Sequence, residues 1–248
     1  KMLYDNVQLV RIYLDGWRLT KEFRFRQVVE ETLDYLRREM MHPDGAFFAA
    51  QDADSEGVEG KCFLWEPSEI LSVLGNDLGA RFMRAYGVTG EGNFEGKTVL
   101  NRLATLTWSQ EEQELADREL YPARKKLLAH RQQRVQPQRD DNIITGWNAL
   151  MVSALLDAYQ AIGTPWYLTT AEQTLTFLID DAIRDNRIFR TVAGGKGRIL
   201  GYLDDYAFFA AALLDAFEVT SHCWYLDQAR EVTDRLLRQR EEARMDGQ

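Results

Sequence analysis

Three stretches decide the reading of this chain: Leu14-Asp15-Gly16-Trp17, Leu156-Asp157-Ala158-Tyr159 and Leu214-Asp215-Ala216-Phe217. They are one point in a block that starts at Tyr4, Gly146 and Asp204 and recurs without a gap, at offsets of 142 and 58 residues. Further along the block, Phe25 corresponds to Tyr167 and Tyr225, and Leu36 to Leu178 and Leu236. A unit that recurs with its apolar positions in register is one supersecondary element used repeatedly. The larger offset leaves room for one more, diverged unit.

Each copy has two parts. Residues 5–19, 148–162 and 205–219 are apolar on nearly every face, the pattern of a buried helix. A break follows at Thr20-Lys21, Gly163-Thr164-Pro165 and Ser221-His222. The second part is amphipathic. In copy one Val28, Val29, Leu33 and Leu36 lie on one face and Arg26, Glu30, Glu31 and Arg37 on the other. Each block therefore reads as an αα-hairpin with a buried inner helix and a half-exposed outer one. Such hairpins must stack to cover their inner helices, and inner helices this apolar favour a ring, an all-α (α/α) hairpin toroid, over an open stack. The expected hairpin units are about 4–41, 67–131, 146–183 and 204–240.

Of 248 residues, 45% are hydrophobic and 28% charged, enough for one large helical domain. No apolar run has transmembrane length and no signal peptide is visible. The formal net charge of −9 disfavours nucleic acid as a partner. Cys62 and Cys223 form no Cys-x-x-Cys, so we expect a reducing, cytoplasmic setting and neither metal nor cofactor. The chain opens in mid-pattern and closes on a polar tail, Glu241 to Gln248, so we read it as a piece of a longer protein.

Links from inner to outer helix are short. Those from outer to next inner helix are long: 42–66, 132–147 and 184–203. The long links thus lie at the end where the inner helices begin. Two read as inserted β-hairpins: Ala46–Ala50 with Lys61–Trp65, and Arg187–Val192 with Arg198–Leu200 around a Gly194-Gly195-Lys196-Gly197 turn. Long loops on a rigid scaffold are where function concentrates. The polar residues of that end are Asp5 and Asn6, Asn148 after Trp147, Asp204 and Asp205, with Gln51, Asp52, Asp54, Lys61, Asp140 and Asp141 from the loops. Tyr4, Trp65, Trp147 and Tyr202 are interleaved with them. Carboxylates can serve as acid, base or nucleophile, and flat aromatics cover the apolar face of a sugar ring, so the set points to a sugar site. The catalytic choice is Asp52 or Asp54, on a loop, with Asp205, at a rigid helix start; the remainder would bind substrate. The plainer reading is that Asp5, Asn148 and Asp205 are helix caps. Asp15, Asp157 and Asp215 read as structural. Residues 52–57 match the first half of a calcium loop, but Phe63 occupies the closing position. His42, His130 and His222 read as surface residues, and the glycines around Lys196 open no helix, which argues against a phosphate loop.

The motifs KMLYDN (1–6), QDADSEGVEGKCFLW (51–65), GNFEGKTVL (92–100), Pro137-x-x-Asp140-Asp141 before TGWNALMVSAL (145–155), and YLDDYAFF (202–209) closely resemble the spermatogenesis-associated protein 20 family, over residues 1 to about 220. The resemblance implies an internal part of a six-hairpin toroid like that of glycosidases and N-acylglucosamine 2-epimerases. It also implies a thioredoxin-like domain absent from this chain and a cytosolic setting. Gly146 stands where the family usually has Ser, and Asn142 where it has Lys. Two function classes follow: a carbohydrate-active site, glycosidase-like or epimerase-like, or a non-catalytic module presenting a ligand or client to the attached thioredoxin-like domain.

Overall fold

The structure is a computed structural model that describes residues 1–193 and 196–246. In chain order its elements are α1 (Leu3–Thr20), α2 (Phe23–Glu39), β1 (Ala50–Gln51), β2 (Asp54–Ser55), β3 (Val58–Glu59), β4 (Leu64–Trp65), α3 (Pro67–Leu74), α4 (Asn76–Ala85), β5 (Thr98–Val99), α5 (Gln110–Arg131), β6 (Arg139–Asp140), β7 (Ile143–Ile144), α6 (Thr145–Ile162), α7 (Pro165–Ala182), β8 (Ile183–Arg184), β9 (Arg187–Ala193), β10 (Lys196–Leu200), α8 (Leu203–Thr220) and α9 (Cys223–Asp246). They divide into two compact units, Lys1–Gln51 with Arg139–Gln248, and Asp52–Gln138. The fold is all-α, with only small strand pieces, in the hairpin layout of a partial (α/α) toroid. No helix among the described residues is long and apolar enough to cross a membrane.

The first unit holds three αα-hairpins, α1/α2, α6/α7 and α8/α9, at the three copies of the repeat. The inner helices α1, α6 and α8 are each 18 residues long. Each ends on a left-handed residue at the same place in the block, Lys21 (φ 58°), Gly163 (φ 82°) and Ser221 (φ 59°). The N–H of that residue donates to the carbonyl of Trp17, Tyr159 or Phe217, again equivalent positions. One residue in αL satisfies an orphan carbonyl and turns the chain into the outer helix. Only copy two uses glycine, the residue that adopts this conformation without a Cβ penalty.

The inner helices run parallel. Tyr4 meets Trp147 near their starts, ring centroids 4.7 Å apart, while farther along Arg11 and Arg18 of α1 pair with Asp157 of α6 at 3.3 Å. Asp205 meets Gly146 near the starts of α8 and α6, and Ser153 donates to Asp215 farther along. The repeated aspartate is thus structural, tying each inner helix to the one before it. Asp15, in copy one, pairs among the described residues only with Arg18 of its own helix and is exposed.

The expectation that all three inner helices are buried on nearly every face holds for α6 alone. Met151 and Ala154 of α6, and their equivalents Phe209 and Ala212 of α8, are fully buried. Their counterparts in α1, Leu9 and Ile12, are 50% and 66% exposed. Helix α6 packs against both α1 and α8, whereas α1 presents that flank uncovered. The polar end of the chain is helical as far as Asp246, the last residue of α9.

Strand pairing departs from expectation in the first long loop. Ala46–Ala50 does not pair with Lys61–Trp65. Instead β1 pairs with β6 and β4 with β5, both antiparallel. Short-range spacing suggested a local hairpin, but each segment found a partner from a later part of its own unit. Strands therefore also occur outside the two expected loops, at 98–99, 139–140 and 143–144. The expected hairpin of 187–200 is present as β9 and β10, which β7 extends; its Gly194-Gly195 turn lies outside the described residues. The calcium-like segment is a tight hairpin, β2 with β3, turning on Glu56 (φ 55°) and Gly57 (φ 75°), as a type I′ turn requires.

The second unit packs α3, α4 and α5 around Trp65, Ile70, Phe82 and Leu127, with its own hydrophobic core. Helix α5 opens with a capping box, Ser109 accepting from the Glu112 N–H and Glu112 from the Ser109 N–H.

Two outcomes follow from this architecture. Nothing lies within 4 Å of a Cβ added to Gly163, so Gly163→Ala should lose about 1 kcal/mol from backbone strain alone, and Ser221→Gly should gain up to about 0.5 kcal/mol, read by urea denaturation. Burial, followed by the Glu30 charge, pushes the Tyr167 hydroxyl up to about 12. A raised folded-state pKa contributes stability that is complete below the unfolded value near 10 and is lost as pH rises toward 12. Tyr167→Phe should therefore flatten the alkaline loss of stability over that window, by about 2 kcal/mol.

Candidate functional site

The three-hairpin unit gathers the starts of α1, α6 and α8, and its centre is Asp205. This carboxylate is fully buried. Its Oδ1 accepts from the Gly146 N–H at 2.9 Å, and its Oδ2 accepts from the Tyr202 N–H at 2.9 Å and from Arg190 Nη1 at 3.0 Å. The first bond ties α8 to α6, the second closes the first turn of α8, and the third fastens β9 to both. Gly146 allows this close approach: a Cβ on it would stand 2.9 Å from Asp205 Oδ1, so a side chain there would make the carboxylate shift. Arg190 also pairs with the half-exposed Asp204 at 3.2 Å and lies over the Tyr202 ring at 4.8 Å. Burial alone would lower the Arg190 pKa, but the Asp205 charge and the bonds to both aspartates outweigh it and raise it.

Arg190 was not among the residues expected from sequence. The signal was available: Ile188, Arg190 and Val192 share one face of β9, and both apolar neighbours are buried. A cation at an inward position of an alternating strand needs a carboxylate partner.

Asn148 is also buried and serves as a splint. It accepts from the Phe47 N–H at 2.7 Å and donates to the carbonyls of Phe47 (2.9 Å) and Ile144 (3.0 Å), binding the 45–49 segment to α6. The cap reading needs a matching correction. The helices begin two or three residues earlier than expected, so neither Asp5 nor Asn148 is an N-cap, and Asp205 closes its helix from the third position.

Gln51 is buried and accepts from the Tyr35 hydroxyl at 3.0 Å. Asp141 pairs with Arg139 at 2.6 Å, and Arg139 lies 3.8 Å over the Phe48 ring. Asp140 accepts from the Asn142 N–H and amide. Asn6 donates to the Met2 carbonyl at 2.7 Å. Asp5 is exposed in the first turn of α1 and makes no hydrogen bond or ion pair with the described residues. The rim of this unit thus brings together Tyr4 with Trp147, and Asp204 with Tyr202 and Arg190.

The remaining candidates belong to the second unit. Asp52 caps its own turn, accepting from the Ala53 and Asp54 N–H groups, and Asp54 is exposed on β2. Lys61 pairs with Glu56 at 2.8 Å. Trp65 is 3% exposed and covered by the Arg134 guanidinium at 4.2 Å, which bonds the Cys62 and Leu64 carbonyls and Glu69. No group of three metal-binding side chains occurs among the described residues.

Sequence comparison places these motifs among known proteins. No family model matches the chain. An uncharacterised Caenorhabditis elegans protein is 32% identical over 270 residues, covering 94% of this chain and 37% of that protein. Spermatogenesis-associated protein 20 of Rattus norvegicus is 28% identical over 273 residues, covering 94% and 35%. The chain is a homologue of spermatogenesis-associated protein 20. It spans about a third of the length of these curated relatives. Among solved structures it is similar to a D-mannose isomerase (TM-score 0.41, 13% identity, 94% of this chain and 58% of that one). It is also similar to an unsaturated glucuronyl hydrolase of Bacillus sp. GL1 (TM-score 0.39, 12% identity, 94% and 61%).

The bonding of Asp205 sets its mutational signature. Asp205→Ala should cost about 3 kcal/mol by denaturant unfolding, because it leaves two N–H donors without their acceptor and Arg190 with only the half-exposed Asp204. Asp5→Ala at the same end should stay within about 0.5 kcal/mol of the parent.

Proposed function

We propose that the rim of the three-hairpin unit is a recognition surface for a polyhydroxylated ligand, a sugar or close analogue, and that no bond is broken there. The observation that carries this reading is the state of Asp205. A carboxylate that attacks or protonates a glycosidic centre must reach it, and this one is fully buried with both oxygens engaged. What remains accessible at that end suits binding: the half-exposed Trp147 and Tyr4 rings offer apolar faces, and Asp204 and Asp5 offer acceptors for hydroxyl groups. In the longer protein implied by its relatives, the module would present its ligand to an attached domain, for which the family resemblance suggests a thioredoxin-like fold.

The test is a titration of the full-length protein with mono- and disaccharides by calorimetry, with product analysis on the same samples. We expect saturable binding of at least one sugar, loss of roughly tenfold or more in affinity in Trp147→Ala, a smaller loss in Asp204→Asn, and no new reducing ends or epimer. Turnover that disappears in Asp205→Asn, with its circular dichroism unchanged, would reinstate an Asp205-based mechanism. No binding of any sugar would remove carbohydrate as the ligand class.

A further inference from the structure

The second unit contains a cavity of about 430 Å³ between α4 and α5, within the size range of small-molecule sites. Its walls follow from helical spacing. Arg81, Arg84 and Ala85 lie at i, i+3 and i+4 on one face of α4, and Leu115, Ala116, Glu119 and Leu120 repeat the spacing on α5. Trp108, just before α5, also lines it. Ala85 and Leu120 belong to the buried core, so the floor is apolar, whereas Leu115 at the mouth is 52% exposed.

The charges on this wall are unequally satisfied. Arg81 pairs with Glu119 across the two helices at 3.3 Å. Glu112 accepts from the Ser109 N–H at 2.7 Å at the positive end of α5. Arg84 contacts the Trp108 ring at 5.9 Å and has no carboxylate partner among the described residues. A guanidinium stays charged at every accessible pH and presents a planar donor fork that matches a carboxylate.

We propose that this cavity is a binding site for an amphipathic carboxylate, its apolar body on Trp108, Leu115 and Leu120 and its carboxylate on Arg84. The site lies wholly within the second unit and uses none of the rim residues, so it is independent of the sugar reading.

Octanoate and octanol, which share a chain length and differ in the charged head, are the probes. They would be titrated into the full chain and followed by ¹H–¹⁵N spectra. Octanoate should saturate and shift the Trp108 indole N–H with the Ala85 and Ala116 amides, and octanol should bind at least about tenfold more weakly. Arg84→Gln should lower octanoate affinity by about tenfold and leave octanol unchanged. Arg118→Gln, a neighbouring cation outside the cavity, should alter neither. The proposal is overturned by equal binding of the two probes, by an unaltered Arg84→Gln protein, by shifts that map elsewhere, or by no octanoate binding. Arg84 is exposed on α4, so Arg84→Gln should remain folded, and superimposable parent and variant spectra without probe would confirm it.

Discussion

The buried carboxylate of Asp205 is the interaction on which the described end of the three-hairpin unit depends. Three groups from three separate segments converge on it: the Gly146 N–H of α6, the Tyr202 N–H before α8, and the Arg190 guanidinium of β9. Each would be costly to leave unpaired in a water-poor site, so the bonds are mutually enforcing. They also dictate local sequence. A side chain at position 146 would make the carboxylate shift, and β9 carries a long cation between two buried apolar residues. The same arrangement positions the rim, because Arg190 holds Asp204 and the Tyr202 ring through its remaining contacts.

Repetition explains why the hairpins share a geometry, and departures from it are informative. The left-handed residue, its acceptor carbonyl and the helix length are common to all three copies. So is the aspartate that reaches the preceding inner helix, where one precedes: Asp157 finds Arg11 and Arg18, and Asp215 finds Ser153. In α1 the equivalent aspartate faces water beside Leu9 and Ile12, whose counterparts in the other copies are fully buried. Leu9 and Ile12 thus keep the apolar character of their buried counterparts on an uncovered flank, although α1 as a whole, with Gln8, Arg11, Asp15 and Arg18, is more polar than α6 or α8.

Much of the fold was legible because it rests on short-range periodicity. The breaks at Thr20-Lys21, Gly163-Thr164 and Ser221-His222 fall where the helices end, and the all-round apolar character of α6 matches its burial. What was not legible involves partners distant in sequence. Nothing local to Ala50 indicates that it pairs with Asp140, or local to Leu64 that it pairs with Val99. The site shows the same division. The polar residues of the rim could be gathered from topology, but which of them are free depends on long-range bonds: Asn148 is consumed by Phe47, 101 residues away, and Trp65 by Arg134. Arg190 was the residue that strand alternation could have revealed.

The acidity of the rim has a physical source that precedes any ligand. Three parallel inner helices place their N-termini at one end, and each contributes the positive pole of its dipole and unpaired backbone N–H groups. Asp5, Asp204 and Asp205 stand in the first turns of α1 and α8, where negative charge is favoured for that reason alone. Carboxylates there are thus a weak sign of chemistry taken by themselves. What distinguishes them is whether the fold already uses them. Asp205 answers three donors and is closed to solvent, Asp204 shares one cation and is half-exposed, and Asp5 answers none among the described residues. The gradient from buried pin to open acceptor runs along a single row of helix starts, with the Tyr4–Trp147 ring pair at the end where the acceptor is most open. Helix parallelism supplies the charge, Asp205 fixes the geometry, and the acceptors left over are those a polar ligand can reach.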